Sequence, residues 1–143
     1  MTARDSTRLP PLAGFGIDRA AAERATPDLL ETARADAATR VLVVNLFTQA
    51  GETDGYDAAD HVRAVQRHLG DVVDVALAHR PPLPVEMVTA HAAEGAESVR
   101  VERVALDGVG AVPVILDLVA SGARGRHDPG KLSRALLAIA RAR

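Results

Sequence analysis

Three short apolar runs are separated by longer segments of mixed polarity. The first, Arg40–Leu46 (RVLVVNL), is continuous and β-branched, which is typical of a strand covered on both faces, as in a parallel sheet. We predict further buried strands at 72–78 (VVDVALA) and 111–120 (AVPVILDLVA), with Pro113 near the start of the last, where proline is tolerated. The shorter run 98–102 (SVRVE) alternates and predicts a peripheral strand.

The segments between these runs have helical spacing. Thr26 and Pro27 are a cap and first-turn pair that predicts a helix through about Asp36, and a helix is also predicted from about Pro84 to Ala93. A third helix is predicted to begin after Asp57, which pairs with Asp60 as a cap, and the helix ends at Gly70. Its apolar stripe is Ala58, Val62, Val65 and Leu69.

The last predicted helix, 128–143, is amphipathic, with arginines outward. We expect its inward positions to be Leu132, Leu136, Ile139 and Ala140.

This alternation of strands and helices predicts an α/β fold with a mainly parallel sheet between helical layers. We expect residues 1–26 to be an irregular N-terminal segment, with much of the first fifteen poorly ordered, and residues 27–143 to be the α/β domain. Three main strands are few for such a sheet, which usually has five or more.

Composition narrows the function classes. The 143 residues carry a net charge of −2, which gives no general attraction to nucleic acid or to an anionic membrane. There is no cysteine, so thiol catalysis and disulfides are excluded. The sequence shows neither an 18-residue apolar run nor a leader pattern, and we expect a cytoplasmic protein.

The loop Asn45–Tyr56 is longer than the usual 2–6 residues between a strand and a helix. It follows the carboxyl end of a predicted parallel strand, where such sheets bind ligands, and the next helix is expected to offer free N–H groups. Gly51 and Gly55 permit positive φ and close backbone approach. The alternative is a solvated surface loop, and the glycine spacing fits neither a P-loop nor a dinucleotide motif.

A second loop, GARGRHDPGK, leads into the last helix. Asp128 is the expected N-cap and Pro129 the first helical residue, so Arg126 and His127 stand just ahead of a helix N-terminus. Arg126 could hold a phosphate with backbone N–H groups assisting. The alternative is a solvated basic turn.

Other candidates are weaker. His61 and His68 are seven residues apart, which is not the spacing of a helical metal pair, and we expect rim positions for them. His79 ends a strand before two prolines, where loop packing is the simpler interpretation. Four acidic residues lie close together in the sequence and suggest a site for a divalent cation: Glu52, Asp54, Asp57 and Asp60. Helix capping alone explains Asp57 and Asp60.

Two longer stretches resemble a known family. RVLVVNLFTQAGETDGYDAADHV resembles the pattern N-[LM]-x-T-Q-P-G-E-T-D-G-Y-[ST]-A-x-D-H-V of the gluconeogenesis-factor (YvcK-like) proteins, within the wider family of the 2-phospho-L-lactate transferase CofD. VILDLVASGARGRHDPGKLSRALL resembles the family's closing stretch. The similarity covers about residues 29–143.

The resemblance implies a Rossmann-like three-layer α/β/α fold and binding of uridine-diphosphate sugars by a cytoplasmic regulator of cell shape, cell-envelope synthesis and carbon metabolism. Arg126 would contact phosphate, with His127 nearby, and His91 stands where the family usually has a tyrosine near the ligand. The ligand cleft would be lined by Asn45, Thr48, Gln49, Gly51, Glu52, Thr53, Gly55 and Tyr56.

Departures from the family pattern qualify this expectation. Ala50 replaces a proline, and nothing in residues 1–28 supplies the family's G-G-G-T-G turn. The chain therefore resembles only the C-terminal half of the family, with a sheet incomplete relative to the full fold. We expect a homo-oligomer, or a partner chain that supplies the missing half.

Three functions follow from this resemblance. The first is a non-enzymatic, UDP-sugar-binding regulatory protein. The second is a CofD-like transferase acting on a nucleotide-activated phospho-acid, with Mg²⁺ held by Glu52 or Asp54. The third is a remnant that binds no nucleotide and acts through protein–protein contact.

Overall fold

The computed structural model describes residues 39–122 and 124–142. The predicted N-terminal segment 1–26 and the helix from Thr26 to Asp36 lie outside these residues. The described elements are, in chain order, β1 (Val41–Val43), α1 (Ala58–Leu69), β2 (Val75–His79), α2 (Val85–Ala92), α3 (Arg103–Gly108), β3 (Val112–Leu116) and α4 (Pro129–Arg141).

The three strands form one parallel sheet in the order β1-β2-β3. Val75 is in register with Val41 on one side and with Val112 on the other. Helical connections carry the chain back between the strands, as parallel pairing requires. The predicted α/β class with a parallel sheet is confirmed.

Burial differs sharply between the strands. Every residue of β2 is buried, β1 is half-buried, and β3 exposes Val112 and Leu116 at its two ends. The prediction of three buried strands is therefore right for β2 alone, because β1 and β3 are the edges of the described sheet. β1 is also shorter than the apolar run Arg40–Leu46 from which it was predicted.

Side chains of β2 alternate between the two faces of the sheet. Ala76 and Ala78 join the cluster that contains residues of α1 and α3, whereas Leu77 packs with Leu118 and with Ala135 of α4. Helices thus cover both faces, which gives the three-layer α/β/α arrangement.

The helix predictions hold in part. Asp57 and Asp60 form the expected capping box, with bonds of 2.8 and 3.1 Å, and Ala58, Val62 and Val65 are buried. In α4 the predicted inward positions Leu132 and Ile139 are right, whereas Leu136 and Ala140 are exposed. The positions that face the sheet are Leu132, Ala135 and Ile139, where the small Ala135 allows close approach.

The peripheral strand predicted at 98–102 is wrong. Ser98 forms one isolated bridge with Phe47, Val99 N–H donates to Leu46, and the Arg100 carbonyl accepts from Ala58 N–H. The backbone of this segment is therefore used to join loops and not to extend the sheet. It leads into α3, a short helix that the sequence pattern did not predict.

Three distant segments meet in an aromatic contact at the carboxyl end of the sheet. The rings of Phe47 and His91 stack with centroids 3.8 Å apart and planes 6° apart. Gly125, at φ +64°, lies so close that a Cβ built on it would be 2.7 Å from each ring. This contact joins the loop after β1, helix α2 and the loop before α4.

His61 is buried, so its predicted rim position is wrong. Its Nδ1 donates to the Asp57 carbonyl at 2.8 Å, and the ring meets Tyr56 edge-on. Burial lowers the pKa of His61, and burial is also the main cause that lowers the pKa of His79 and of His127.

Gly125→Ala should destabilise the protein by about 2–4 kcal/mol, because alanine at positive φ is strained and its methyl group would collide with both rings. Gly110→Ala is the matched control, since Gly110 has φ +80° with open space around the Cβ position, and it should cost about 1–2 kcal/mol. Urea denaturation measures both free energies of unfolding. Equal losses would contradict a steric role for Gly125.

Stability should fall as the pH is lowered from 7.5 to 5.5. The unfolded chain binds protons at its histidines near pH 6.5, whereas the native pKa values are lower, so the unfolded state gains protons first. The loss approaches about 1.4 kcal/mol per pH unit for each histidine, within the window between its native pKa and 6.5. Denaturation at each pH should show a shallower slope for His61→Gln than for the wild-type chain. A flat profile for the wild-type chain would contradict the assignment.

Candidate functional site

The loop after β1 is held in shape by its own hydrogen bonds. Thr53 is fully buried, and its hydroxyl accepts from Gln49 N–H at 2.7 Å while its own N–H donates to the Gln49 carbonyl at 2.9 Å. Glu52 N–H donates to the same carbonyl at 3.0 Å. Thr53 and the Gln49 backbone therefore organise the loop, whatever ligand it binds.

The two glycines of this loop are required by its turns. Gly51 and Gly55 have φ +82° and +71°, values that other residues adopt rarely. Nothing lies within 4 Å of a Cβ built at either position, and Gly51 N–H donates to the Asp54 carboxylate. Their role is to turn the chain, and no close approach of another segment explains them.

Thr48 fastens the loop to the segment that follows α2. Its N–H donates to the Glu97 carbonyl at 2.7 Å, and its hydroxyl accepts from Glu97 N–H at 2.9 Å. The side chain is buried. The hydroxyl keeps one hydrogen to donate and one further lone pair to accept with.

The helix N-termini are largely occupied by protein groups, contrary to expectation. At α1 the N–H groups of Ala58 and Asp60 donate to the Arg100 carbonyl and to the Asp57 carboxylate. At α4 the Asp128 carboxylate accepts from Lys131 N–H at 2.9 Å. These capping carboxylates already complement the positive end of each helix, so an anion gains little there.

The loop before α4 is a narrow turn closed by antiparallel pairing. Val119 pairs with His127, and Ala120 N–H donates to the Arg126 carbonyl at 2.8 Å. The Arg126 side chain is exposed, and within 39–122 and 124–142 it forms no ion pair. Burial lowers the pKa of His127, and the Val44 carbonyl near its ring partly opposes this effect.

The two loops predicted to form a site do meet. Gly125 contacts Phe47, and the His127 ring lies near the Val44 carbonyl, so residues next to Arg126 approach the start of the first loop. His91 lies between the loops through its stack on Phe47, with Nδ1 donating to the Met87 carbonyl at 2.8 Å.

Six of the eleven predicted site residues line two neighbouring grooves. The other five line neither of them: Gly51, Glu52, Thr53, Arg126 and His127. Gly55 and Tyr56 line a groove of about 380 Å³ together with Ser98 and Arg100. The other groove, of about 370 Å³, is lined by Asn45, Phe47, Thr48, Gln49, Ala50, His91, Glu94 and Ala96.

Sequence reasoning missed a polar group at the end of β2. His79 is buried, and its Nδ1 accepts from Leu118 N–H at 3.0 Å. Asp117 lies nearby and is paired with Lys131 at 2.9 Å, a contact that lowers the pKa of the Asp117 carboxyl. The position of His79 at the carboxyl end of a parallel strand was the available signal.

Three of the four residues in the acidic cluster are engaged in local hydrogen bonds. Asp57 and Asp60 cap α1, and Asp54 accepts from Gly51 N–H. Among the residues that the structure describes, no three His, Cys, Asp or Glu side chains group as metal ligands. The same residues contain no helix long and apolar enough to cross a membrane.

Comparison with known proteins identifies relatives. Residues 24–119 match the family model described as 2-phospho-L-lactate transferase CofD. The chain is 36% identical over 114 residues to the gluconeogenesis factor of Halalkalibacterium halodurans, covering 78% of this chain and 35% of that protein. It is 30% identical over 126 residues to the gluconeogenesis factor of Listeria monocytogenes, covering 79% and 36%.

The fold agrees with these matches. A crystal structure of a UPF0052-family protein from Bacillus halodurans superposes with a TM-score of 0.73 at 35% identity, covering 78% of this chain and 36% of that one. The chain thus spans about a third of the length of the relatives it matches. Since the family model covers most of the chain and the superposed fold is the same Rossmann-like α/β arrangement, the chain belongs to the CofD family, with gluconeogenesis factors among its relatives.

Proposed function

We propose that this chain is a regulatory module that binds a nucleotide-sugar of the UDP-sugar class, and that it is linked to cell-envelope and carbon metabolism. One observation carries the proposal: the loop after β1 and the loop before α4 meet at the carboxyl end of a parallel sheet, where Gly125 packs against the stacked rings of Phe47 and His91. This is the edge at which such sheets bind ligands. The relatives named gluconeogenesis factor support a role in carbon metabolism.

Arg126 is the phosphate contact in this proposal. Its guanidinium is exposed and forms no ion pair within the described ranges, so no existing partner has to be displaced. Arginine binds phosphate bidentately and keeps its charge at any physiological pH. The exposed Gln49 and the groove around Asn45 and His91 offer further hydrogen-bonding groups for the sugar.

A transferase of the CofD type is the second candidate, favoured by the family model itself. Such a transferase needs a metal ion to bind its substrate, and the sequence suggests Glu52 or Asp54 as the residue that binds the metal. Glu52 has a buried carboxylate oxygen, Oε2, without a hydrogen-bond partner among the described residues. A dependence of binding on Mg²⁺ therefore separates the two candidates.

Calorimetric titration with UDP-N-acetylglucosamine should show saturable binding. Arg126→Ala should lower the affinity about tenfold to a hundredfold, because it removes one charge-assisted contact to phosphate. Arg67→Ala is the matched control, because it removes the same charge in the last turn of α1, outside the contacting loops. Binding that is unchanged by Mg²⁺ favours the regulatory module over the transferase. A folded chain that releases no heat contradicts the proposal for this chain alone.

We also propose that the chain self-associates, or pairs with a partner chain that completes the fold. Apolar side chains are exposed on both β3 and α4, including Leu137 with 54% of its surface accessible. Light scattering of the pure chain should give a mass above 15.0 kDa, and Leu137→Glu should lower it. Arg141→Glu, on the same helix, is the control for added negative charge. A monomer at all concentrations contradicts self-association.

A further inference from the structure

The groove of about 370 Å³ beside the loop after β1 is lined largely by polar side chains. Thr48 and Gln49 come from the loop, whereas His91 and Glu94 come from the end of α2 and the turn that follows it. Among its described lining residues there is one carboxylate, that of Glu94, and no lysine or arginine. Such a lining disfavours a phosphate and suits a neutral group that carries hydroxyls.

The ring of His91 is fixed in this lining by two contacts. It stacks on Phe47 with centroids 3.8 Å apart, and Nδ1 lies 2.8 Å from the Met87 carbonyl oxygen. Because a carbonyl oxygen can only accept, Nδ1 carries the proton, and in the neutral ring Nε2 carries a lone pair. Within 39–122 and 124–142 no group donates to Nε2. The ring therefore offers one acceptor in a fixed orientation.

The edge of the ring that contains Nε2 lies beside the loop that carries Arg126. A Cβ built on Gly125 would be 2.7 Å from Cε1 and 2.8 Å from Nε2, so the backbone of Gly125 lies against this edge. Arg126 is the next residue, and its side chain is exposed. In a nucleotide-sugar the sugar is joined directly to a phosphate, so the subsites for the two groups must be neighbours. The placement of His91 and Arg126 on touching segments satisfies this requirement.

Thr48 and Gln49 add hydrogen-bonding groups of both kinds. The Thr48 hydroxyl accepts from Glu97 N–H at 2.9 Å, which holds its oxygen in place and leaves its hydrogen to donate. The exposed amide of Gln49 both donates and accepts. A sugar hydroxyl also does both, so this lining matches the chemistry of a sugar better than that of an anion.

We propose that this groove is the sugar subsite of the nucleotide-sugar, and that Nε2 of His91 accepts a hydrogen bond from a sugar hydroxyl. The subsite rests on the proposed function, under which the phosphates lie at Arg126, outside the groove. Glu94 then accepts from other hydroxyls of the same sugar. His91 is the residue by which the chain prefers a nucleotide-sugar over the nucleotide alone.

The first test compares the affinities of UDP-N-acetylglucosamine and UDP. His91→Phe keeps a ring against Phe47 and removes the acceptor. It should therefore lower the affinity for the nucleotide-sugar about threefold to tenfold and change the affinity for UDP by less than about twofold. Thr89→Ala is the matched control, because it removes an exposed hydroxyl from the same helix outside the groove, and it should change neither affinity. Equal losses for both ligands, or no loss for the nucleotide-sugar, would overturn the role of His91.

The second test follows the ring nitrogens of His91 in the ¹⁵N-labelled chain at mildly alkaline pH, assigned by through-bond correlation to the His91 backbone. We expect Nδ1 with its proton and Nε2 without one before any ligand is added. UDP-N-acetylglucosamine and N-acetylglucosamine 1-phosphate should shift the Nε2 signal, whereas UDP should not. A signal that neither sugar ligand shifts, or that UDP shifts equally, would overturn the proposal. Because this titration uses the wild-type chain, it decides the question if His91→Phe does not fold.

The two proposals fail differently. Saturable binding of UDP-N-acetylglucosamine with an unchanged Nε2 signal contradicts the sugar subsite and leaves the proposed function standing. A shift of Nε2 by N-acetylglucosamine 1-phosphate, in a chain that does not bind the nucleotide-sugar, supports the subsite and contradicts the proposed function.

Discussion

The complete burial of β2 is the constraint on which the rest of the structure depends. A strand with no exposed residue needs a partner strand on each side and a helical layer on each face, and the described chain supplies all four. Ala76 and Ala78 leave room for α1 and α3, while Leu77 fills the space under α4. Because β2 is fixed in this way, its last residue, His79, is carried into the interior at the edge where the loops gather.

That edge is built mostly by residues that bind one another. Thr48, Thr53 and the two loop glycines shape the first loop, and Asp57 and Asp128 fill the helix N-termini that an anion could have used. A motif that is specific enough to indicate a family is therefore largely a motif for folding one loop. The groups left to meet a ligand are fewer and more widely spread, and they include the exposed Arg126 on the second loop.

The sequence predicted those features that depend on local pattern. Alternating runs gave the α/β class, and Asp57 with Asp60 gave the start of α1, because each depends on residues close along the chain. Burial was predicted less well, since apolar runs look alike in a central strand and in an edge strand, as β2 and β3 show. His61 and His79 were missed for a related reason, because a histidine that packs against distant elements leaves no local signal. The 98–102 segment alternates like a strand, yet its hydrogen-bonding groups are used by Leu46 and Ala58.

The two edges of the described sheet differ in their capacity to accept a further strand. Val112 N–H donates to Asp74, so Val112 turns toward β2 and Pro113 faces outward. Pro113 has no N–H to donate, and its carbonyl accepts from Arg103 at 3.4 Å, which closes the outer edge of β3. On the outer side of β1, no residue of 39–122 or 124–142 forms a ladder. If a second chain extends the described sheet, it therefore pairs with β1. It then lies next to the loop that begins at Asn45, near the carboxyl end of the sheet, where the loop after β1 and the loop before α4 meet.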